Sequence, residues 1–234
     1  MKEFNSNIQA IKVIASGLGD LLKNVVFVGG AVAELYADNH ADSDIRVTLD
    51  VDCFIELSSR RNYNELEEAL RLKGFKHDIS TGAPICRWNY KNVLVDIMPS
   101  DEEILGFSNA WYKIGISSKI PYVLDDGIEI AILSPAIYLA TKIEALNNRG
   151  SKDLRQSSDF EDIIYVLENC SVLLTSVNGS DQVVQEFLRK ESSKLLARKG
   201  ILEAIECVLP YGSSSASVEN IYNLFQILSD KSAL

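Results

Sequence analysis

Residues 25–57, VVFVGGAVAELYADNHADSDIRVTLDVDCFIEL, decide the fold. The β-branched and aromatic run at 25–28 is stopped by Gly29-Gly30, which predicts a short buried strand. A short helix is expected over 31–37, a polar loop over 38–46 and a second strand over 48–57. Side chains two apart on a strand share a face. Thr48, Asp50, Asp52 and Phe54 therefore project together, and Leu49, Val51, Cys53 and Ile55 form the opposite, apolar face. The core takes the apolar face. Two carboxylates are left beside a double-glycine turn through which a phosphate could approach backbone N–H groups.

Working outward, apolar positions at Ile8, Ile11, Ile14, Ala15, Leu18, Leu21 and Leu22 predict a helix over 5–23. A second helix is expected over 62–73, ended by Gly74. Strand-like runs at 85–90 and 93–98, separated by Lys91-Asn92, predict an antiparallel hairpin. In its second strand Val93, Val95 and Ile97 share one face, and Asp96 lies on the other with Leu94 and Met98. Residues 99–119 read as irregular or weakly helical. Runs at 121–124 and 128–133 flank Asp125-Asp126-Gly127, a further hairpin signal.

From Ser134 onward only helices are expected. Ser134-Pro135 opens one to about residue 148, and the capping box Ser158-x-x-Glu161 opens another to about 169. More helices follow within 182–209 and 218–229. The change near residue 133 marks the expected domain boundary, with domains 1–133 and 134–234.

The bulk numbers bound the function. A chain of 234 residues, 47% hydrophobic and 24% charged, can build a real core. No stretch reaches the roughly 18 apolar residues of a spanning helix, and the N-terminus lacks a signal-peptide pattern. A cytoplasmic protein without membrane contact is expected. Cys53, Cys86, Cys170 and Cys207 show no C-x-x-C pairing and read as free thiols. The net charge of -10 gives no support to broad nucleic-acid binding, although basic residues cluster at 142–155 and 189–199. Trp88, Trp111 and Tyr112 could stack a base, but strand aromatics more often pack a core. His40 and His77, the only histidines, lie in unrelated segments and are given no role.

The chemistry lies in the acids. Asp50, Asp52 and Asp96 on neighbouring strands would repel by about 3–4 kcal/mol per pair at an effective dielectric near 20. A cation relieves this, and oxygen-only ligands favour Mg²⁺ or Mn²⁺ over zinc. Such ions can clamp the attacking and leaving oxygens of a phosphoryl displacement.

The series Gly29-Gly30, then Arg46-x-Thr48-x-Asp50-x-Asp52, then V-D-I-M-P at 95–99 resembles the DNA polymerase β-type nucleotidyltransferase superfamily. Within it the chain is most similar to the AbiEii-like toxins of type IV toxin–antitoxin and abortive-infection systems. Further residues carry this likeness: LGFSNAWY at 105–112, the S-P-x-x-x-L-A-T-K-x-E-A pattern at 134–145, Arg149-Gly150, and S-D-F-E-D-I at 158–163.

The resemblance implies an α+β fold. A nucleotidyltransferase domain with a mixed, mostly antiparallel sheet flanked by helices would be followed by a C-terminal helical bundle. It implies that Asp50, Asp52 and Asp96 are catalytic and bind metal, Asp96 activating the incoming hydroxyl. Gly29, Gly30, Thr48, Lys142 and Asp159 would bind nucleotide, with Mg²⁺ or Mn²⁺ as cofactor and an NTP as substrate. The expected activity moves NMP to an acceptor hydroxyl, on a tRNA 3′ end or a protein. The cognate antitoxin would act without a stable complex. The alternatives are a small-molecule adenylyltransferase of the aminoglycoside type and a non-catalytic nucleotide-binding regulator.

Overall fold

The computed structural model describes residues 6–39, 45–57, 59–149 and 153–230. Most of the expected loop 38–46, including His40, lies outside them, as does Gly150. The chain forms two compact units: residues 1–32 with 46–133, and residues 33–45 with 134–234.

The first unit is built on a seven-stranded sheet. Its strands are β1 (Val25–Val28), β2 (Asp50–Ile55), β3 (Lys76–His77), β4 (Arg87–Tyr90), β5 (Val93–Pro99), β6 (Ile120–Val123) and β7 (Glu129–Ile132). They lie in the order β3-β4-β5-β2-β1-β7-β6. The β1–β2, β3–β4, β4–β5 and β6–β7 pairs are antiparallel; β1–β7 and β2–β5 are parallel. The sheet is thus mixed and mostly antiparallel. Helices α1 (Asn7–Leu18), α2 (Arg60–Leu72), α3 (Glu102–Leu105) and α4 (Trp111–Ser117) complete the unit.

Local chemistry explains the element ends. Ser6 caps α1 and Ser59 caps α2, each accepting a hydrogen bond from the backbone N–H three residues on. The expected helix 5–23 stops at Leu18 and continues as a 3-10 turn, Gly19–Asn24. The β4–β5 hairpin turns on Lys91 (φ 50°) and Asn92 (φ 67°), the left-handed pair that a two-residue loop demands. Leu49, expected on the core face, is 92% exposed because β2 begins only at Asp50. The expected helix after Gly29-Gly30 is a 3-10 segment, Gly30–Tyr36.

The second unit carries α5 (Pro135–Arg149), α6 (Ser158–Asn169), α7 (Leu173–Asn178), α8 (Gln182–Leu196), α9 (Ile201–Val208) and α10 (Ser215–Ser229). Helix α5 packs against α6, α7 and α8, and α10 packs against α6, α8 and α9. The cap of α6 is Ser157, whose side chain accepts from the Phe160 N–H, one residue before the expected Ser158. Among the described residues no helix is long and apolar enough to cross a membrane.

Candidate active site

The site in the first unit is set by strand register. Parallel pairing of β2 with β5 places Asp52 opposite Asp96 and Asp50 opposite Leu94. Directly paired residues point to the same face, so Asp50, Asp52 and Asp96 emerge together. On the other face Val51, Cys53, Val95 and Ile97 are buried in the core. That burial holds the register, since a slip of one residue would turn the aspartates inward. Phe54, next on the aspartate face, stacks on Tyr112 with ring centroids 4.3 Å apart.

Gly29 adjoins Asp52. It has φ 76°, and a Cβ built on it would stand 1.9 Å from an Asp52 carboxylate oxygen. Absence of a side chain here gives the Asp52 carboxylate its place, a different need from the phosphate approach expected of this turn. Gly30 is buried and opens the 3-10 segment.

Thr48 fixes the entry to β2. Its N–H donates to Asn7 Oδ1 at 2.9 Å. Its hydroxyl lies 2.8 Å from the Asp50 carbonyl oxygen and 3.2 Å from Asn7 Oδ1, so its one proton serves one acceptor at a time. Asn7, 2% exposed, also donates to the Arg46 carbonyl oxygen at 3.0 Å. The start of α1 therefore anchors the strand that carries the acids.

Arg87 is the residue that the motif reading missed. Antiparallel pairing of β4 with β5 places it opposite Asp96. Its Nε and one terminal nitrogen donate to the two Asp96 carboxylate oxygens, each at 2.8 Å. The same terminal nitrogen also pairs with Asp50. Hydrogen bonding to Asp96 raises the guanidinium pKa above its ordinary value, so it stays charged. Burial, followed by the nearby Asp52 and Asp96 charges, pushes the Cys53 thiol well above its usual range. Burial and Asp96 push Cys86 up to about 12. Both thiols are neutral packing groups here.

Three carboxylates on adjacent strands form the oxygen donor set that hard divalent ions take. Arg87 supplies positive charge to this face. Among the described residues no group of three or more His, Cys, Asp or Glu side chains stands ready-arranged around a metal position. The guanidinium is engaged on two of the three aspartates, Asp96 and Asp50.

Lys142 and Asp159 come together in the second unit. Lys142 of α5 is 7% exposed, with Nζ 2.7 Å from Asp162 and 3.6 Å from Asp159, both on α6. Asp159 and Asp162 are each 2% exposed. Arg149 reaches Asp159 at 2.8 Å. Lys142 also lies 5.8 Å from the Tyr138 ring centroid. This buried ion cluster ties α5 to α6. Trp88, Trp111 and Tyr112 are buried; Trp88 stacks under His77 at 3.6 Å.

No protein-family model and no curated protein matches the chain. Among solved structures, the chain is similar to an antigenic nucleotidyltransferase-like protein from Paracoccidioides brasiliensis. The TM-score is 0.52 at 18% identity, over 87% of this chain and 93% of that one. The chain thus has a nucleotidyltransferase-like fold.

Proposed function

We propose that the protein is a nucleotidyltransferase that moves NMP from an NTP to an acceptor hydroxyl, with Asp50, Asp52 and Asp96 as its reacting centre. The observation that carries this reading is the β2–β5 register, which pairs Asp52 with Asp96 on the face that Asp50 shares. The nucleotidyltransferase-like fold supports it. So does the order of the Gly-Gly turn, the D-x-D strand and the third aspartate.

The three aspartates would hold Mg²⁺ or Mn²⁺, which when bound neutralises phosphate charge and polarises the phosphorus under attack. Asp52 is kept in place by the space over Gly29. A carboxylate oxygen of Asp96 accepts the proton of the acceptor hydroxyl as its oxygen attacks the α-phosphorus. The bond from that phosphorus to the oxygen bridging to the β-phosphate breaks, and pyrophosphate leaves. Thr48 steadies Asp50 through its carbonyl oxygen. The motif series supports nucleotide-binding roles for Gly29, Gly30, Lys142 and Asp159, and a toxin role with a tRNA 3′ end or a protein as acceptor.

The test uses NTPs labelled at the α-phosphate, Mg²⁺ or Mn²⁺, and separate tRNA and protein pools. Label should enter one pool with wild-type protein and not with Asp52→Asn. Absence of transfer from all four NTPs, to either pool, defeats the proposal in this form. The net charge of -10 favours one second reading, transfer to a polycationic small molecule such as an aminoglycoside. Drug resistance in expressing cells, without growth inhibition, would select it.

A further inference from the structure

The nucleotidyl-transfer reading leaves Arg87 without a part, although its guanidinium holds both oxygens of Asp96 and reaches Asp50. We propose that Arg87 is an internal counter-cation that competes with a divalent ion for these carboxylates, so that the site takes up metal only as the guanidinium lets go. The inference rests on that reading of the site and concerns its regulation.

Three observations carry it. First, the pairing is two-pronged on Asp96, so the in-plane oxygen positions that a metal ion would use there face N–H groups. Second, the guanidinium spans two strands, joining Asp96 of β5 to Asp50 of β2. One displacement therefore withdraws the guanidinium from two of the three donors together. Third, the Arg87 side chain is 22% exposed, while that of Asp96 is 10% exposed. The arginine has an outlet to solvent that the aspartate lacks.

Chemistry also fixes the direction of the exchange. An arginine stays protonated at any working pH, so proton loss cannot release it. Only a stronger or more highly charged cation can displace it. A guanidinium and a divalent ion at neighbouring positions on one carboxylate pair repel each other. Once displaced, Arg87 remains tethered at the rim of the site, where an anionic phosphate would meet it. The released charge thereby passes from the carboxylates to the substrate, and metal entry is coupled to nucleotide entry.

The experiment measures Mn²⁺ binding to the full chain without nucleotide, from loss of the free-ion paramagnetic resonance signal. Arg87→Met should bind Mn²⁺ more tightly than wild type by about 10-fold to 100-fold, the span of an ordinary coupling between competing ligands. Arg87→Lys, which keeps the charge but loses the fork, should fall between the two. Adding Asp52→Asn to Arg87→Met should remove the gain, which places the ion at this site. Equal or weaker binding by Arg87→Met overturns the inference while leaving the transferase reading intact. If Arg87→Met does not fold, Arg87→Lys decides by the same criterion. Failure of wild type and both variants to bind at millimolar Mn²⁺ defeats the metal-dependent reading itself, and the inference with it.

Discussion

The Asp52 carboxylate occupies the space that a side chain at Gly29 would need, with only 1.9 Å between its oxygen and the position of a Cβ. Gly29→Ala must therefore move the carboxylate as well as strain the left-handed backbone. The left-handed conformation alone costs a non-glycine residue about 1–2 kcal/mol. Urea denaturation should show a loss of about 1–3 kcal/mol, with a folded variant that transfers no labelled nucleotide. Wild-type transfer by a folded Gly29→Ala protein would show that the placement of Asp52 is not critical.

Lys142 lies among two buried carboxylates, so removing it alone leaves buried negative charge. Lys142→Met should cost about 3–5 kcal/mol in chemical denaturation, the ordinary penalty for breaking a buried pair. Removing Asp162 as well, in Lys142→Met with Asp162→Leu, should restore most of that loss, because Arg149 still faces Asp159. A double variant no more stable than the single one would show that Asp162 is not the main partner.

The thiols make a prediction about pH. Cys53, Cys86 and Cys170 are buried and Cys207 is exposed, so a thiol reagent at neutral pH should label Cys207 first in the native protein. Burial, with a lesser contribution from Asp38, raises the Cys170 thiol from 9.0 to about 11. The unfolded chain therefore loses this proton at lower pH than the folded one. Stability is retained below pH 9 and falls as pH rises towards about 11. Urea titrations across that window should show the decline, and Cys170→Ala should make it shallower.

The β4–β5 turn is improvable. Lys91 and Asn92 both have positive φ, which Asn-Gly adopts with less strain. Lys91→Asn with Asn92→Gly should raise stability by about 0.5–1 kcal/mol in thermal or urea unfolding. A decrease would mean that Lys91, 5.2 Å from the Tyr90 ring centroid, contributes more through that contact than the turn loses to strain.

Much of the first unit was legible because a strand repeats every two residues. Asp50 and Asp52, alternating with buried Val51 and Cys53, declare their face from sequence alone. Leu49 did not follow the pattern because pairing begins one residue later, and pairing depends on a distant partner. Ser157 rather than Ser158 caps α6, a choice between adjacent serines that local chemistry leaves balanced. Lys142 was expected to bind nucleotide; its pairing with Asp159 and Asp162 did not show in the sequence because those partners on α6 lie well ahead in the chain. Arg87 was hidden for a similar reason, yet the sequence held a signal. Counting back from a two-residue turn at Lys91-Asn92 pairs Tyr90 with Val93 and, three steps on, Arg87 with Asp96.

That hairpin has an evolutionary consequence. Its tip, Lys91 and Asn92, is exposed and bears none of the acids, so an added or deleted residue there meets little steric resistance. If the two-residue turn is kept, such a change shifts β4 by one step, swinging Arg87 to the opposite face of the sheet and the buried Trp88 to the aspartate face. Asp50, Asp52 and Asp96 would stay in place on β2 and β5. Descendants of this chain could thus gain or lose the arginine latch by a change in length at a remote turn, with no substitution among the residues of the site.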